Sequence, residues 1–134
     1  MAGRELADAG VEMNLQPRTV AVIDDDVQVL ESLVNLLASF GYKADGYISA
    51  EHFLGSGTLS RAFCIVTDVE MRQMSGLGLL QHLKNSNCAV PVIIITGKSS
   101  ERSESFYLER GAIGFFRKPV DGDALLDLIN SVCS

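Results

Sequence analysis

The sequence has little that would suit a membrane or a nucleic acid. Its longest apolar runs, such as residues 90–95, are far shorter than the roughly 20 residues that a membrane-spanning helix needs. Lysine and arginine total 11 against 17 acidic residues, and the resulting net charge of −6 repels the phosphate backbone of nucleic acids. We therefore expect no membrane partner and no direct nucleic-acid partner.

Cysteine is also scarce, and the first residues lack the apolar stretch of a secretory signal. The three cysteines show no metal-ligand spacing, and Cys64 lies inside an apolar run where a buried, reduced thiol is the usual role. These features predict a cytoplasmic protein. We interpret residues 1–17 as an N-terminal tail and residues 18–134 as a single domain, since the chain has room for one core.

From Thr19 onward, apolar strand-like runs alternate with segments of helical period, which is typical of a parallel sheet covered by helices. We predict strands over 20–23, 42–47, 63–67, 92–95 and 112–116. The helices are predicted to follow the acidic residues 24–26, then Ser49, Ser75, about Ser100 and Asp121. The first helix carries an apolar face and ends at Gly41; that face consists of Val27, Leu30, Leu33, Val34 and Leu37. The fold class is therefore α/β and flavodoxin-like, with five parallel strands in the order 2-1-3-4-5.

Acidic, hydroxyl and ammonium groups stand at the ends of four predicted strands. Asp24 and Asp25 follow the first, Asp68 closes the third, Thr96 ends the fourth, and Lys118 follows the fifth. Each has a structural explanation on its own, because an aspartate or threonine can cap a helix and a lysine is usually solvated. Together they converge on the carboxyl edge of the sheet, where the carboxylates would repel one another unless a hard divalent cation lay between them.

These residues resemble the receiver domain of bacterial two-component response regulators over about residues 19–133. The matching motifs are residues 22–26, Asp68 with Met71 and residues 74–76, residues 96–97, and residues 118–119. Residues 66–71 and 95–97 are similar to receivers of the nitrogen-fixation regulator type.

The resemblance implies a phosphorylation switch. Asp68 would accept a phosphoryl group from the histidine of a sensor kinase, and Lys118 would pair with a phosphoryl oxygen. The cofactor would be Mg²⁺, bound directly by Asp25 and Asp68, through water by Asp24, and by the backbone carbonyl of Glu70. The domain would catalyse its own phosphorylation and dephosphorylation and would not otherwise be an enzyme.

The resemblance also implies how the signal leaves the site. The Thr96 hydroxyl would move to the phosphoryl group and the Phe115 ring would turn inward, although Phe115 can equally be plain core packing. The peptide bond between Lys118 and Pro119 would be cis. The receiver would then act on a downstream protein or an output domain, or form a phosphorylation-dependent homodimer.

The fourth helix supports a separate prediction. Phe106, Tyr107 and Leu108 are consecutive and span about 200° of the helical wheel, so they cannot all face the core. We predict that Phe106 or Tyr107 belongs to an interface for dimerisation or partner docking. The alternative is a ring lying flat on its own domain.

The sequence departs from the family pattern beside the site. Arg72 stands where proline is usual, and Glu70 and Lys98 lie two residues past Asp68 and Thr96. We expect Glu70 and Lys98 to form a salt bridge over the phosphoryl group and to slow its hydrolysis. No output domain follows Cys133, so the expectation is either a single-domain regulator or a longer protein with an effector region.

Two other function classes use similar residues. A magnesium phosphohydrolase would form an aspartyl-phosphate, but the common Asp-x-Asp arrangement has Glu70 at its second position. A phosphorylation-independent interaction module would have lost an acceptor, hydroxyl or lysine from the site. None of these is lost here.

Overall fold

The computed structural model describes residues 19–97 and 102–133, except for the side chain of Cys133. The predicted tail, residues 1–17, lies outside the described residues. The elements are, in chain order, β1 (Thr19–Ile23), α1 (Val27–Ser39), β2 (Lys43–Tyr47), α2 (Ala50–Gly55), a 3-10 turn (Thr58–Ser60), β3 (Ala62–Asp68), α3 (Gly76–Asn85), β4 (Val92–Thr96), α4 (Glu104–Glu109), β5 (Gly114–Arg117) and α5 (Gly122–Cys133).

The strands form one parallel sheet in the order β2-β1-β3-β4-β5, which confirms the predicted fold class. Ile23 lies opposite Thr67, so the residue after β1 reaches the level of Asp68 on the neighbouring strand. Asp68 in turn lies opposite Ile95, one residue before Thr96. The register therefore brings the predicted site residues to one edge of the sheet.

The core lies on both faces of the sheet. One layer packs the leucines of α1 and α5 against the strands, and the other packs α2, α3 and α4. Every residue of β1 and β4 is buried, as expected for central strands covered on both sides. Among the described helices, none is long and apolar enough to cross a membrane.

The helix ends follow the predicted capping residues. Ser49 and Ser75 accept hydrogen bonds from the first turns of α2 and α3, and Asp121 accepts one from the first turn of α5. Asp26 caps α1 through Oδ1, which accepts from the Gln28 amide at 3.0 Å. Since Asp26 performs the capping, Asp24 is available for another role.

Three predicted details are wrong. Val27 is 53% exposed, because it is the first residue of α1 and lies beyond the end of β1. The β5 strand begins at Gly114 and not at Ala112, since the Ala112 amide donates to the Tyr107 carbonyl and closes α4. The α4 helix begins at Glu104, capped by Ser103, and not at about Ser100, which lies outside the described residues.

Candidate functional site

Three carboxylates meet at the carboxyl edge of the sheet. Asp24 and Asp25 follow β1, Asp68 ends β3, and one oxygen from each lies within 4.8 Å of the others. Asp24 and Asp68 are 1% and 3% exposed, whereas Asp25 is exposed to solvent. The predicted convergence of the three acids is confirmed.

Backbone contacts fix these carboxylates in place. The Asp24 amide donates to the Tyr47 carbonyl at 3.0 Å, and Asp24 Oδ1 accepts from the Asp26 amide at 2.9 Å. A Cβ on Gly76 would lie 2.3 Å from the carbonyl oxygen of Asp68. The start of α3 therefore approaches the acidic edge this closely because residue 76 has no side chain.

Lys118 reaches into the same cluster from the segment that follows β5. Its Nζ lies 3.0 Å from Asp24 Oδ2 and 3.3 Å from Asp68 Oδ1. Its amide donates to the Thr96 carbonyl at 2.8 Å, and the Lys118–Pro119 bond is cis, as the family resemblance implied. The predicted inward orientation of the ammonium is confirmed.

Burial makes the carboxylates costly to ionise. Desolvation, followed by the charge of Asp24, raises the pKa of Asp68 to about 6, even though Lys118 opposes this shift. Desolvation also raises the pKa of Asp24. Burial by itself lowers the pKa of Lys118, but the bond to Asp24 and the charge of Asp68 outweigh it and leave that pKa raised.

The donor set fits a hard divalent cation. Asp24 Oδ2 and Asp68 Oδ1 are buried and accept no hydrogen bond from the described residues, although both contact the Lys118 ammonium. One ammonium cannot neutralise three carboxylates, and carboxylate oxygens are the ligands that Mg²⁺ prefers. A groove of about 360 Å³ borders exposed Asp25 and is lined in part by Val27 and Ile48.

Thr96 and Glu70 border the cluster. Thr96 is buried at the end of β4, and its hydroxyl makes a long hydrogen bond of 3.4 Å to the Gly97 carbonyl. Glu70 is exposed, and its Oε1 lies 3.1 Å from the position that a Cβ on Gly97 would take. The Glu70 side chain thus reaches the end of β4. Lys98 lies outside the described residues, so its pairing with Glu70 stays a prediction.

The aromatic residues of α4 and β5 divide between core and surface. Tyr107 is 1% exposed, and its ring stacks on that of half-buried Phe115 at 5.5 Å between centroids. Tyr107 offers no surface to a partner, so its predicted place in an interface is wrong. Phe106 keeps part of its ring exposed and remains the interface candidate.

Three arginines beside these rings were not predicted as site residues. The Cζ atoms of Arg102 and Arg110 lie 4.3 and 3.7 Å from the ring centroid of Phe106, and that of Arg117 lies 5.2 Å from the centroid of Phe115. The sequence does contain the signal. Arg110 follows Phe106 by four residues at the end of α4, and Arg117 follows Phe115 by two residues on β5, so each of these two arginines lies on the same face as its ring. Arg102 precedes the α4 cap, Ser103, and helical spacing does not predict its position.

Comparison with known proteins matches the response regulator receiver domain family over residues 20–130. The chain is 33% identical over 119 residues to the response regulator protein TodT of Pseudomonas putida, covering 89% of this chain and 52% of TodT. It is 38% identical over 112 residues to the transcriptional regulatory protein FixJ of Azorhizobium caulinodans, covering 84% of this chain and 53% of FixJ. The chain therefore spans about half the length of the curated relatives it matches.

Solved structures agree with these matches. The crystal structure of FixJ-N is 30% identical to this chain and superimposes with a TM-score of 0.76, covering 88% of this chain and 94% of that one. The matches to FixJ and FixJ-N confirm the predicted resemblance to the nitrogen-fixation regulator type.

Proposed function

Because the chain belongs to the response regulator receiver domain family of two-component systems, we propose that Asp68 accepts a phosphoryl group from a sensor histidine kinase. One observation carries this proposal: the Lys118 ammonium lies within 3.3 Å of a buried strand-end carboxylate that two further aspartates adjoin. Asp68 is the only carboxylate of the three that ends a strand of the described sheet. The same proposal places the protein in the cytoplasm.

In the proposed reaction, an oxygen of ionised Asp68 attacks the phosphorus atom. The bond from phosphorus to the kinase imidazole breaks, and the imidazole nitrogen keeps the electron pair. Lys118 is already held between Asp24 and Asp68, so its ammonium can pair with an oxygen of the transferred group without a large movement. Desolvation keeps this ion pair strong at the moment of transfer.

The residues that would hold Mg²⁺ are Asp25 and Asp68 directly, Asp24 through water, and Glu70 through its backbone carbonyl. When bound, the ion supplies positive charge that neutralises the phosphoryl oxygens. The buried Asp24 Oδ2 and Asp68 Oδ1 contact the Lys118 ammonium and accept no other hydrogen bond from the described residues. These free acceptor positions and the exposure of Asp25 support this assignment.

Thr96 and Phe115 are proposed to transmit the phosphorylated state. The long hydrogen bond of the Thr96 hydroxyl is weak and easily exchanged for one to a phosphoryl oxygen. Phe115 stacks on Tyr107, so a change at Thr96 would reach α4 through this ring pair. The proposed receivers of the signal are a downstream protein, an output domain of a longer protein, or a second phosphorylated copy.

The test is phosphorylation by a small donor. We expect intact-protein mass spectrometry to show one added phosphoryl group after treatment with acetyl phosphate and Mg²⁺, and none when EDTA replaces Mg²⁺. Asp68→Asn should abolish the addition. Asp26→Asn is the matched control, since it removes the same charge from the α1 cap and leaves the acidic cluster intact.

Two results would contradict the proposal. Undiminished phosphorylation of Asp68→Asn would place the acceptor elsewhere. Steady turnover of a generic phosphomonoester such as p-nitrophenyl phosphate would instead indicate a phosphohydrolase.

A further inference from the structure

The loop between β3 and α3, residues 69–75, lies beside the acidic cluster and carries Glu70. At its base, the Val69 amide donates to the Ile95 carbonyl at 2.9 Å, and the Gly76 amide donates to the Val69 carbonyl at 3.0 Å. Residues 70–74 contain no proline and no regular secondary structure, so neither restricts their conformation. The position of the Glu70 carbonyl therefore depends on what else holds the loop.

One hydrogen bond ties the far side of this loop to α2. The Met74 amide donates to Glu51 Oε2 at 2.9 Å, although the two residues are 23 positions apart in sequence. Among residues 19–97 and 102–133, this is the single hydrogen bond that joins residues 70–74 to another element. Its acceptor is a carboxylate, which makes the bond stronger than one between two neutral groups.

Glu51 is itself held close to the site. It lies in the first turn of α2, four residues after the end of β2 at Tyr47. The Tyr47 carbonyl accepts from the Asp24 amide at 3.0 Å, so the segment that leads to Glu51 is tied to the acidic cluster. The groove of about 360 Å³ that borders Asp25 is lined by both Glu51 and Met74. The hydrogen bond between these two residues therefore lies in the wall of that groove.

A purely electrostatic role is the alternative for Glu51. A carboxylate in the first turn of a helix is stabilised by the helix dipole, and its negative charge also attracts cations. Among the described residues both ion pairs are made by Lys118, so the Glu51 carboxylate is left to the Met74 amide. The two roles have different requirements. The electrostatic role needs the charge, whereas the hydrogen bond needs only an acceptor oxygen, which glutamine also offers.

We propose that Glu51 is a positioning residue, which fixes the β3–α3 loop through the Met74 amide and so holds the Glu70 carbonyl in place for a divalent cation. This inference rests on the proposed function, which assigns that carbonyl as a metal ligand. A loop that is already fixed loses less conformational entropy when the cation binds. Glu51 is not one of the three clustered carboxylates, so its effect passes through the loop.

The first measurement is amide hydrogen exchange by NMR on the ¹⁵N-labelled chain, without Mg²⁺ and without phosphodonor. The Met74 amide should exchange about threefold to fivefold faster in Glu51→Ala, because its acceptor is gone. In Glu51→Gln the rate should stay close to that of the wild type. Unchanged exchange in Glu51→Ala would show that the contact does not hold the loop, and would overturn the proposal.

The second measurement is the Mg²⁺ dissociation constant, obtained by titrating the same samples with MgCl₂. It should rise about threefold to fivefold in Glu51→Ala and clearly less in Glu51→Gln. The matched control is Glu31→Ala, which removes an exposed glutamate from α1 and should change neither measurement.

The outcomes separate this inference from the proposed function. If the wild type binds Mg²⁺ but Glu51→Ala and Glu51→Gln weaken binding equally, only the charge matters and the inference alone is overturned. The same holds if Glu51→Ala speeds the exchange of the Met74 amide and leaves the Mg²⁺ affinity unchanged. If the wild type bound no Mg²⁺, both the proposed function and this inference would fail.

Discussion

Asp68 is a carboxylate that the fold buries before any phosphoryl group arrives. Its pKa is raised from 3.8 to about 6, first by desolvation and then by the charge of Asp24. A raised carboxyl pKa means that the folded state binds the proton more tightly than the unfolded state does. The stability that comes from the protonated form is therefore present below about pH 4 and is lost as the pH rises through about 6.

The raised pKa predicts that the ionised Asp68 side chain lowers the stability of the folded domain at neutral pH. Without divalent cations, Asp68→Asn should raise the free energy of unfolding at pH 7 by about 1–3 kcal/mol, since it removes an ionised group from a buried position. Below about pH 4 the gain should vanish. Urea unfolding followed by circular dichroism across this pH range measures both effects.

A divalent cation should reduce the difference in unfolding free energy between the wild type and Asp68→Asn, because it binds the folded wild type and stabilises it. Asp26→Asn serves again as control and should show no comparable gain, since Asp26 is exposed and caps a helix. If Asp68→Asn instead destabilised the domain at pH 7, the carboxylate would be a stabilising group and the electrostatic argument would be wrong.

At the scale of elements, the junction of β3 and α3 positions the acceptor. A Cβ on Gly76 would meet backbone atoms: the Asp68 carbonyl oxygen at 2.3 Å and the Val69 Cα at 3.0 Å. A Cβ on Gly78, in the same helix, would instead meet side-chain atoms: the Met74 Cγ at 3.2 Å and the Ser75 Oγ at 3.5 Å. Two glycines of one helix therefore differ in what a methyl group would displace.

We expect Gly76→Ala to lower the free energy of unfolding by about 1–3 kcal/mol, because the strand end or the helix must shift. It should also slow phosphorylation by acetyl phosphate, since the displaced backbone carries Asp68. Gly78→Ala should be neutral or stabilising by up to about 1 kcal/mol, as alanine favours helix. Thermal unfolding measures the change in stability, and the rate at which mass spectrometry detects the added phosphoryl group measures the change in phosphorylation. If Gly76→Ala and Gly78→Ala lowered the free energy of unfolding equally, this explanation of the β3–α3 junction would be wrong.

Some features of the strands and helices could be predicted from the sequence, and others could not. The central strands were predictable because uniform apolar runs identify β1, β3 and β4, and the capping residues Ser49, Ser75 and Asp121 identified the starts of α2, α3 and α5. Helical period showed that Phe106, Tyr107 and Leu108 could not all face the core, but it could not say which ring packs inward. That choice depends on the contact between Tyr107 and Phe115, which periodicity does not encode.

Across the whole molecule, the parallel sheet brings together residues that are far apart in sequence. Asp24, Asp68, Thr96 and Lys118 were predictable as a group, because parallel strands end at one edge. The ionisation of Asp68 could not be predicted from the sequence, since its pKa depends on burial and on distances to neighbouring charges.

The most direct test of the central claim is to locate the phosphorylated residue. Borohydride reduces an aspartyl-phosphate to homoserine, so the wild type should be treated with acetyl phosphate and Mg²⁺, reduced, digested and analysed by tandem mass spectrometry. We expect homoserine at position 68. Homoserine at position 24 or 25, or its absence from a phosphorylated sample, would contradict it.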